Sequence, residues 1–407
     1  MLGVMATRVF TTWWLAVLPL AIVAPEMSAA RRFALVCPNY HPQTCGVGDN
    51  TMRLAEELQR RGHEAAIFTR DPAAPNPEAP TVPVVGVPGR LPVVIAQRVR
   101  RELDRFAPTD LIIQYTPQML NAWRWGSPAV LGLALDARRK GIKVTLVAHE
   151  LFFVWQRRPD LAVAAALLRA QFAALAAVAH RVFVTVEARA QLIAGWLRAA
   201  RIKSDVGVVR IGSGALPVRR KPRAGELRLG TFTTLAVGKR MDVVLDCFRI
   251  IAEQRPDARL ILLGDFAHSG PARLRAFEQT VAANPARDRI RIAGKQTLSA
   301  IAQEVADLDV FLFPMETGAN TRSSTLPLAL GSGLPVVATR ARETDDLFVD
   351  NENIVLAEAL EGDAFAAATL RILNDKNLSD RVSRGAETLY RDHLSWQRIG
   401  DHLLAEI

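Results

Sequence analysis

Half of the 407 residues are apolar and 23% are charged, enough for two or three filled cores, which excludes a disordered or low-complexity chain. The formal net charge of +10 is unevenly placed: residues 27–210 carry 25 Lys/Arg against 14 Asp/Glu, residues 211–407 carry 25 against 26, so the basic character belongs to the N-terminal half. Three scattered cysteines, Cys37, Cys45 and Cys247, exclude a disulfide framework or a zinc site and point to a reducing compartment.

Residues 9–25 are apolar, preceded by Arg8 and followed by Ser28-Ala29-Ala30, the pattern of a signal peptide or short anchor. Met27 stands six residues before the first expected core strand, so translation from Met27 would give a complete domain. Residues 1–26 are therefore read as a leader or a mis-assigned start, the latter being favoured.

Phe33 to Cys37 reads as a strand, followed by a loop with Gly46, Val47 and Gly48, a helix from Asn50 to Arg61 and a strand from Glu64 to Thr69, a βαβ unit. The two glycines lack the third of a dinucleotide fingerprint. Residues 71–92 are proline-rich and expected to run over the surface. Val93 to Phe106 then forms an amphipathic helix with Arg98, Arg100, Arg101 and Arg105 beside an apolar face. An ordinary solvated helix face has this pattern too. Arg138-Arg139-Lys140, Arg157-Arg158, Trp123, Trp125 and Trp155 in the same half favour an anionic membrane surface.

Strands are expected at Asp110–Gln114 and Lys143–Ala148, the second ending in His149-Glu150; a helix, a strand and a helix follow up to Ala199, and Val206 to Ile211 closes the first domain. Residues 212–226 read as a linker. Strands and helices then alternate from Leu227 to Phe313, the mark of a doubly wound parallel sheet. A polar loop, residues 315–325, and a short helix with the run Ala329-Leu330-Gly331-Ser332-Gly333-Leu334-Pro335-Val336-Val337 come next. Hydroxyls of Ser323, Ser324 and Thr325 and the charge of Arg322 would gather at that helix start, a place suited to an anion.

The candidates Gly46 to Gly48, His149, Lys239, Asp265, Gly294 and the 316–325 loop all fall at carboxyl ends of strands, where two such domains face each other across a cleft. With Arg61-Gly62-His63-Glu64, His149-Glu150, Lys239 with Asp242, Leu263-Gly264-Asp265, and the Val310–Pro314 and Ala329–Ala338 runs, the chain resembles glycosyltransferase family four from Phe33 to the C-terminus.

That resemblance implies an α/β GT-B fold of two Rossmann-like domains, residues 27–211 on the acceptor side and 227–388 on the donor side, with a helical segment at 389–407. It implies a retaining, metal-independent transferase of polysaccharide or cell-envelope type, moving a sugar from a nucleotide-diphosphate donor, its co-substrate, to a glycan or lipid-linked acceptor. No further cofactor and no specific nucleic acid are expected, and the location would be the cytoplasm or the inner face of a membrane. Catalytic roles pass to His149, Lys239 and Arg322, and donor binding to Gly46, Val47, Gly48, Arg240, Asp265, Gly294, Glu316, Asn320, Ser323, Ser324 and Thr325. The family's two loop glutamates are replaced here by Asn320 and Leu328, and its customary arginine before the lysine by Thr234. The other reading is therefore an inactive GT-B protein that serves as an assembly partner at a membrane.

Overall fold

A computed structural model describes residues 30–407 apart from 44, 72, 90, 118, 121–125, 152–158 and 221–224. The apolar leader, Trp123, Trp125, Trp155, Arg157 and Arg158 lie outside the described residues. Residues 31–407 form one compact unit holding two parallel sheets.

The first lobe runs β1 (Arg32–Val36), α1 (Gly46–Arg60), β2 (Glu64–Arg70), β3 (Val84–Val87), α2 (Pro92–Phe106), β4 (Asp110–Tyr115), α3 (Pro128–Arg139), β5 (Lys143–Ala148), α4 (Pro159–Val178), β6 (Arg181–Val184), α5 (Glu187–Ala199) and β7 (Val206–Val208). Its seven strands are ordered β3-β2-β1-β4-β5-β6-β7. The strands are short apolar runs because both faces are covered: Phe33, Leu35 and Ile67 point into one core, Ala34, Val36 and Phe68 into the other.

The second lobe runs β8 (Leu227–Phe232), α6 (Met241–Gln254), β9 (Ala258–Leu263), α7 (Pro271–Ala282), β10 (Ile290–Gly294), α8 (Leu298–Ala306), β11 (Val310–Phe313), α9 (Thr325–Gly331), β12 (Val336–Thr339), β13 (Val355–Ala357), α10 (Gly362–Asn374), α11 (Lys376–Leu389) and α12 (Trp396–Glu406), with strand order β10-β9-β8-β11-β12-β13. A π-helical turn at Tyr390–Leu394 redirects the chain, and α12 returns to the first lobe. There Trp396, Ile399 and Leu403 join the core of β1 and α1, and Trp396 Nε1 donates to Ser213 O at 2.8 Å. Gly212 must be glycine at this crossing, since a Cβ would stand 2.5 Å from the Trp396 ring.

Four departures from the sequence reading have physical causes. The helix expected from Asn50 begins at Gly46, because Cys45 caps it: its Sγ accepts from Gly48 N at 3.4 Å. The proline-rich excursion contains β3, which pairs with β2 from Ile67↔Val84 to Arg70↔Val87 at the sheet edge, where proline is tolerated on either side. Helix α3, with its weak apolar periodicity, had no expectation. Helix α2 turns its apolar face inward, burying Ile95, Ala96, Val99 and Leu103, so that face is not available to a membrane.

Candidate active site

In each lobe the strand order reverses beside the first strand, between β1 and β4 and between β8 and β11. Chain leaving these strands lines the crevice, as expected at a topological switch point. In the second lobe the segments after β8 and β11 are tied together: Lys239 and Met315 form an antiparallel bridge, Glu316 N donates to Gly238 O at 3.0 Å and Arg240 N to Pro314 O at 3.2 Å. Lys239 is thereby held against Thr231, Thr233, Phe313 and Met315. Burial, and then the charge of Arg322, keep its ammonium below its ordinary pKa.

Arg322 is half-buried, and its guanidinium is also pushed down, by burial and then by Arg189, against the opposing pull of Glu343 and Glu150. Among the described residues neither Lys239 nor Arg322 forms an ion pair. Two partly desolvated cations, with Arg322 bearing on Lys239 and neither in a direct ion pair, are costly unless an anion joins them.

The loop carrying Arg322 is fixed from within. Asn320 is buried and spends its amide locally: Nδ2 donates to Thr317 Oγ1 at 3.2 Å and Gly318 O at 3.0 Å, and Oδ1 accepts from Arg322 N at 3.2 Å. Asn320 thus shapes the loop and presents no free polar atom to a donor. Thr321 Oγ1 lies 2.7 Å from Asp345 Oδ2 and 2.8 Å from Thr185 O of the first lobe, while Thr321 O accepts from Ile211 N at 3.1 Å. Ser323 Oγ and Thr325 Oγ1 are 3.0 Å apart at the start of α9.

From the first lobe come His149, Arg189 and the start of α1. His149 is buried, its Nε2 2.6 Å from Gln114 Oε1, and burial lowers its pKa to about 4, so the ring is neutral at physiological pH. Gly46 opens toward the crevice: a Cβ there would meet only Ser324 Oγ, at 4.0 Å. Gly48 is buried, where a Cβ would strike Asn39 O at 2.6 Å, so its smallness serves the fold of its own loop. Val47 O accepts from Thr51 Oγ1 at 2.7 Å inside the helix.

Other expected residues have other duties. Arg240 is gripped by Asp242, with N–O distances of 2.6–3.0 Å, which directs its guanidinium to a neighbour in sequence. Asp265 accepts from His268 N at 3.2 Å and pairs with Lys295 at 3.7 Å, and Gly294 ends the edge strand β10. Glu316 is exposed. Leu328, standing where the resemblance calls for a glutamate, is fully buried in the core beneath the loop. Asp309 is taken by Arg220 at 2.7 Å and by Arg228 N at 2.8 Å, a structural role.

Thr321 falls in the expected loop, whereas Asp345, Arg189, Glu343 and Gln114 had no expectation. Gln114 lies in β4, Glu343 and Asp345 follow β12 and Arg189 lies in the first turns of α5, positions shared with many bystanders.

Residues 45–204 match the family described as Glycosyltransferase Family 4, and residues 226–375 match Glycosyl transferases group 1. The chain belongs to glycosyltransferase family four. Family relatives include a phosphatidyl-myo-inositol mannosyltransferase of Mycolicibacterium smegmatis, 25% identical over 88% of this chain and 89% of its own length. A GDP-mannose-dependent alpha-mannosyltransferase of Mycobacterium tuberculosis is 27% identical over 80% and 83%. Among solved structures, sucrose-phosphate synthase from Thermosynechococcus elongatus superposes with a TM-score of 0.72 at 14% identity, covering 92% of this chain and 98% of that one. Anabaena HepE in complex with UDP and glucose gives 0.70 at 14% identity with the same coverage. The fold of this family four member is therefore GT-B, and it is a glycosyltransferase that uses nucleotide-sugar donors.

Proposed function

We propose that the enzyme is a retaining hexosyltransferase that passes a sugar from a nucleoside diphosphate, without a metal, to a glycan or lipid-linked acceptor of cell-envelope type. The observation that carries this reading is the pair Lys239 and Arg322, each partly buried and each without an ion-pair partner among the described residues, with the charge of Arg322 bearing on Lys239. A diphosphate between them relieves the repulsion, and as the glycosidic bond breaks the same cations meet the charge that develops on the leaving phosphate. Neutral His149 would offer a hydrogen bond to the sugar without adding charge.

The relatives support mannose as the first sugar to try, since both are mannosyltransferases by name, and the one that acts on phosphatidyl-myo-inositol supports a lipid acceptor. An alpha-mannoside made from the α-linked donor GDP-mannose keeps its anomeric configuration, which favours retention. The buried Leu328 supports a second reading, an inactive GT-B protein that serves as an assembly partner at a membrane, because it cannot accept hydrogen bonds from a ribose and so holds a donor less firmly.

Titration calorimetry with GDP and UDP, followed by GDP-mannose hydrolysis, tests both. Lys239→Ala and Arg322→Ala should each weaken diphosphate binding by about 1.5–3 kcal/mol, the value of a hydrogen bond to a charged group. Unchanged affinity in both variants rejects the site, and weak binding of both nucleotides with no turnover selects the second reading.

A further inference from the structure

Helix α4 spans twenty residues, and its segment Asp160–Val178 is long and apolar enough by length and composition to cross a membrane. It does not lie free of the fold, since Ala164, Ala165, Leu168, Phe172, Leu175 and Ala176 are buried on the lobe. Its opposite side is the unusual one. Val163 is 53% and Leu167 47% exposed, and Ala166, Ala170 and Ala177 are exposed with them. At about 100° per residue these five fall in one stripe roughly 100° wide, with no polar side chain in it. An outward helix face on a soluble lobe is ordinarily polar, so this one is built to be covered.

The surroundings say by what. Helix α3 packs against α4, and α2 packs against α3, so the three form one layer on the sheet. Arg138 Nη1 donates to Val178 O at 2.6 Å, fastening the end of α3 to the end of α4. Acidic groups of α2 and α3 are spent in pairs: Glu102 with Arg105 at 2.6 Å, Asp136 with Lys140 at 2.7 Å, and Asp104 with Lys140. Arg101 and Arg139 are exposed and have no ion pair among the described residues, and Arg98 is exposed with only Pro88 O as partner. Exposed Leu91 and Val93 at the start of α2 add apolar surface to the same layer.

An apolar stripe on a layer with unspent arginines complements a lipid surface that offers acyl chains and negative head groups together. We infer that the α2–α3–α4 layer docks on an anionic bilayer, α4 lying in the interface plane with Val163 and Leu167 inserted while α2 and α3 supply charge. This deepens the reading of a lipid-linked acceptor by naming the surface that brings the enzyme to it.

Sedimentation of the full chain with phosphatidylcholine vesicles, with and without phosphatidylglycerol, tests it, beside GDP titration and size-exclusion chromatography. The expected result is binding to the anionic vesicles only, weakened by salt, and reduced at least tenfold in Val163→Glu/Leu167→Glu with GDP affinity unchanged. The milder Val163→Ser/Leu167→Ser should give an intermediate loss and guards against misfolding of the first variant. Equal binding of wild type and both variants overturns the inference, as does equal binding to neutral vesicles. A concentration-dependent dimer that both variants convert to monomer assigns the stripe to a second copy and overturns it too. Failure of GDP binding in the wild type, with vesicle binding intact, rejects the diphosphate site and leaves the docking surface standing.

Discussion

Arg189 of α5 and Glu343, which follows β12, meet across the crevice with Nη2 3.1 Å from Oε2, both side chains no more than 15% exposed. Glu343 also attracts Arg322, which Arg189 repels. The pair therefore joins the lobes and keeps Glu343 from capturing the guanidinium assigned to the diphosphate.

Removing Arg189 should turn Glu343 toward Arg322 and weaken donor binding although Arg189 need not touch the donor. We expect Arg189→Ala to lose about 1 kcal/mol of GDP or UDP affinity, and Arg189→Ala/Glu343→Ala to recover most of it, a coupling typical of contacting charges. Calorimetry on the four proteins of the cycle decides the matter, and strict additivity would show that Arg189 and Glu343 act separately.

Lys239 gives a pH signature with two opposite signs. Its pKa in the folded protein lies below the ordinary 10.5 through burial and Arg322. Between the folded value and 10.5 the unfolded chain binds more protons, so the stability of the unliganded protein should rise with pH in that window. A bound diphosphate favours the charged amine, so donor affinity should fall over the same window, by at most tenfold per pH unit. In Lys239→Ala both slopes should flatten. Thermal melts and nucleotide titrations at alkaline pH measure them, and a wild-type affinity that holds constant would remove Lys239 from the site.

The sequence made legible what depends on periodicity and on strand ends. Buried strands such as Val310–Phe313, the alternation with helices, and the positions of Lys239, Arg322 and His149 could all be placed from pattern. Strand β3 was hidden because its prolines flank the four residues that pair, and α3 because its apolar residues are not confined to one face. The site was legible as a set of loops, not as a set of roles. Asn320 in the pattern looks like a ligand-binding amide, and only its three partners in the loop show it to be a brace. Arg240 likewise looks like a second cation for the phosphates until Asp242, two residues away, is seen to hold it.

His149 offers a test of burial. With its pKa lowered from 6.5 to about 4, the native state takes up its proton later than the unfolded chain as pH falls. Stability should therefore be lost as pH drops from 6.5 toward 4, by about 3 kcal/mol in all from this group. His149→Asn should lack that component of the pH dependence, seen in denaturant titrations at pH 4.5 and 7. Catalysis should show no ionisation of His149 between pH 5 and 8, and a limb in that range that vanishes in the variant would mean that the ring is more solvated than its surroundings indicate.

Leu328 stands where the family pattern has a glutamate. Leu328 is fully buried among Leu326, Leu330, Phe313 and Val336, so the position belongs to the packing beneath the loop. Leu328→Glu, which writes the usual carboxylate back in, should place an acid in an apolar site with its pKa raised by about 3–5 units. Below the unfolded pKa of about 4.3 both states are protonated and the acid adds no charge penalty. Above it the folded state holds the extra proton, and stability should fall by about 1.4 kcal/mol per pH unit until the raised pKa is passed, a loss of about 4–7 kcal/mol. Melting curves of the variant should therefore separate from wild type far more at pH 8 than at pH 5. A variant as stable as wild type at pH 8, with tighter GDP binding, would show that the side chain at 328 turns to the ribose and that the leucine is the reason for any weakness of the native enzyme toward its donor.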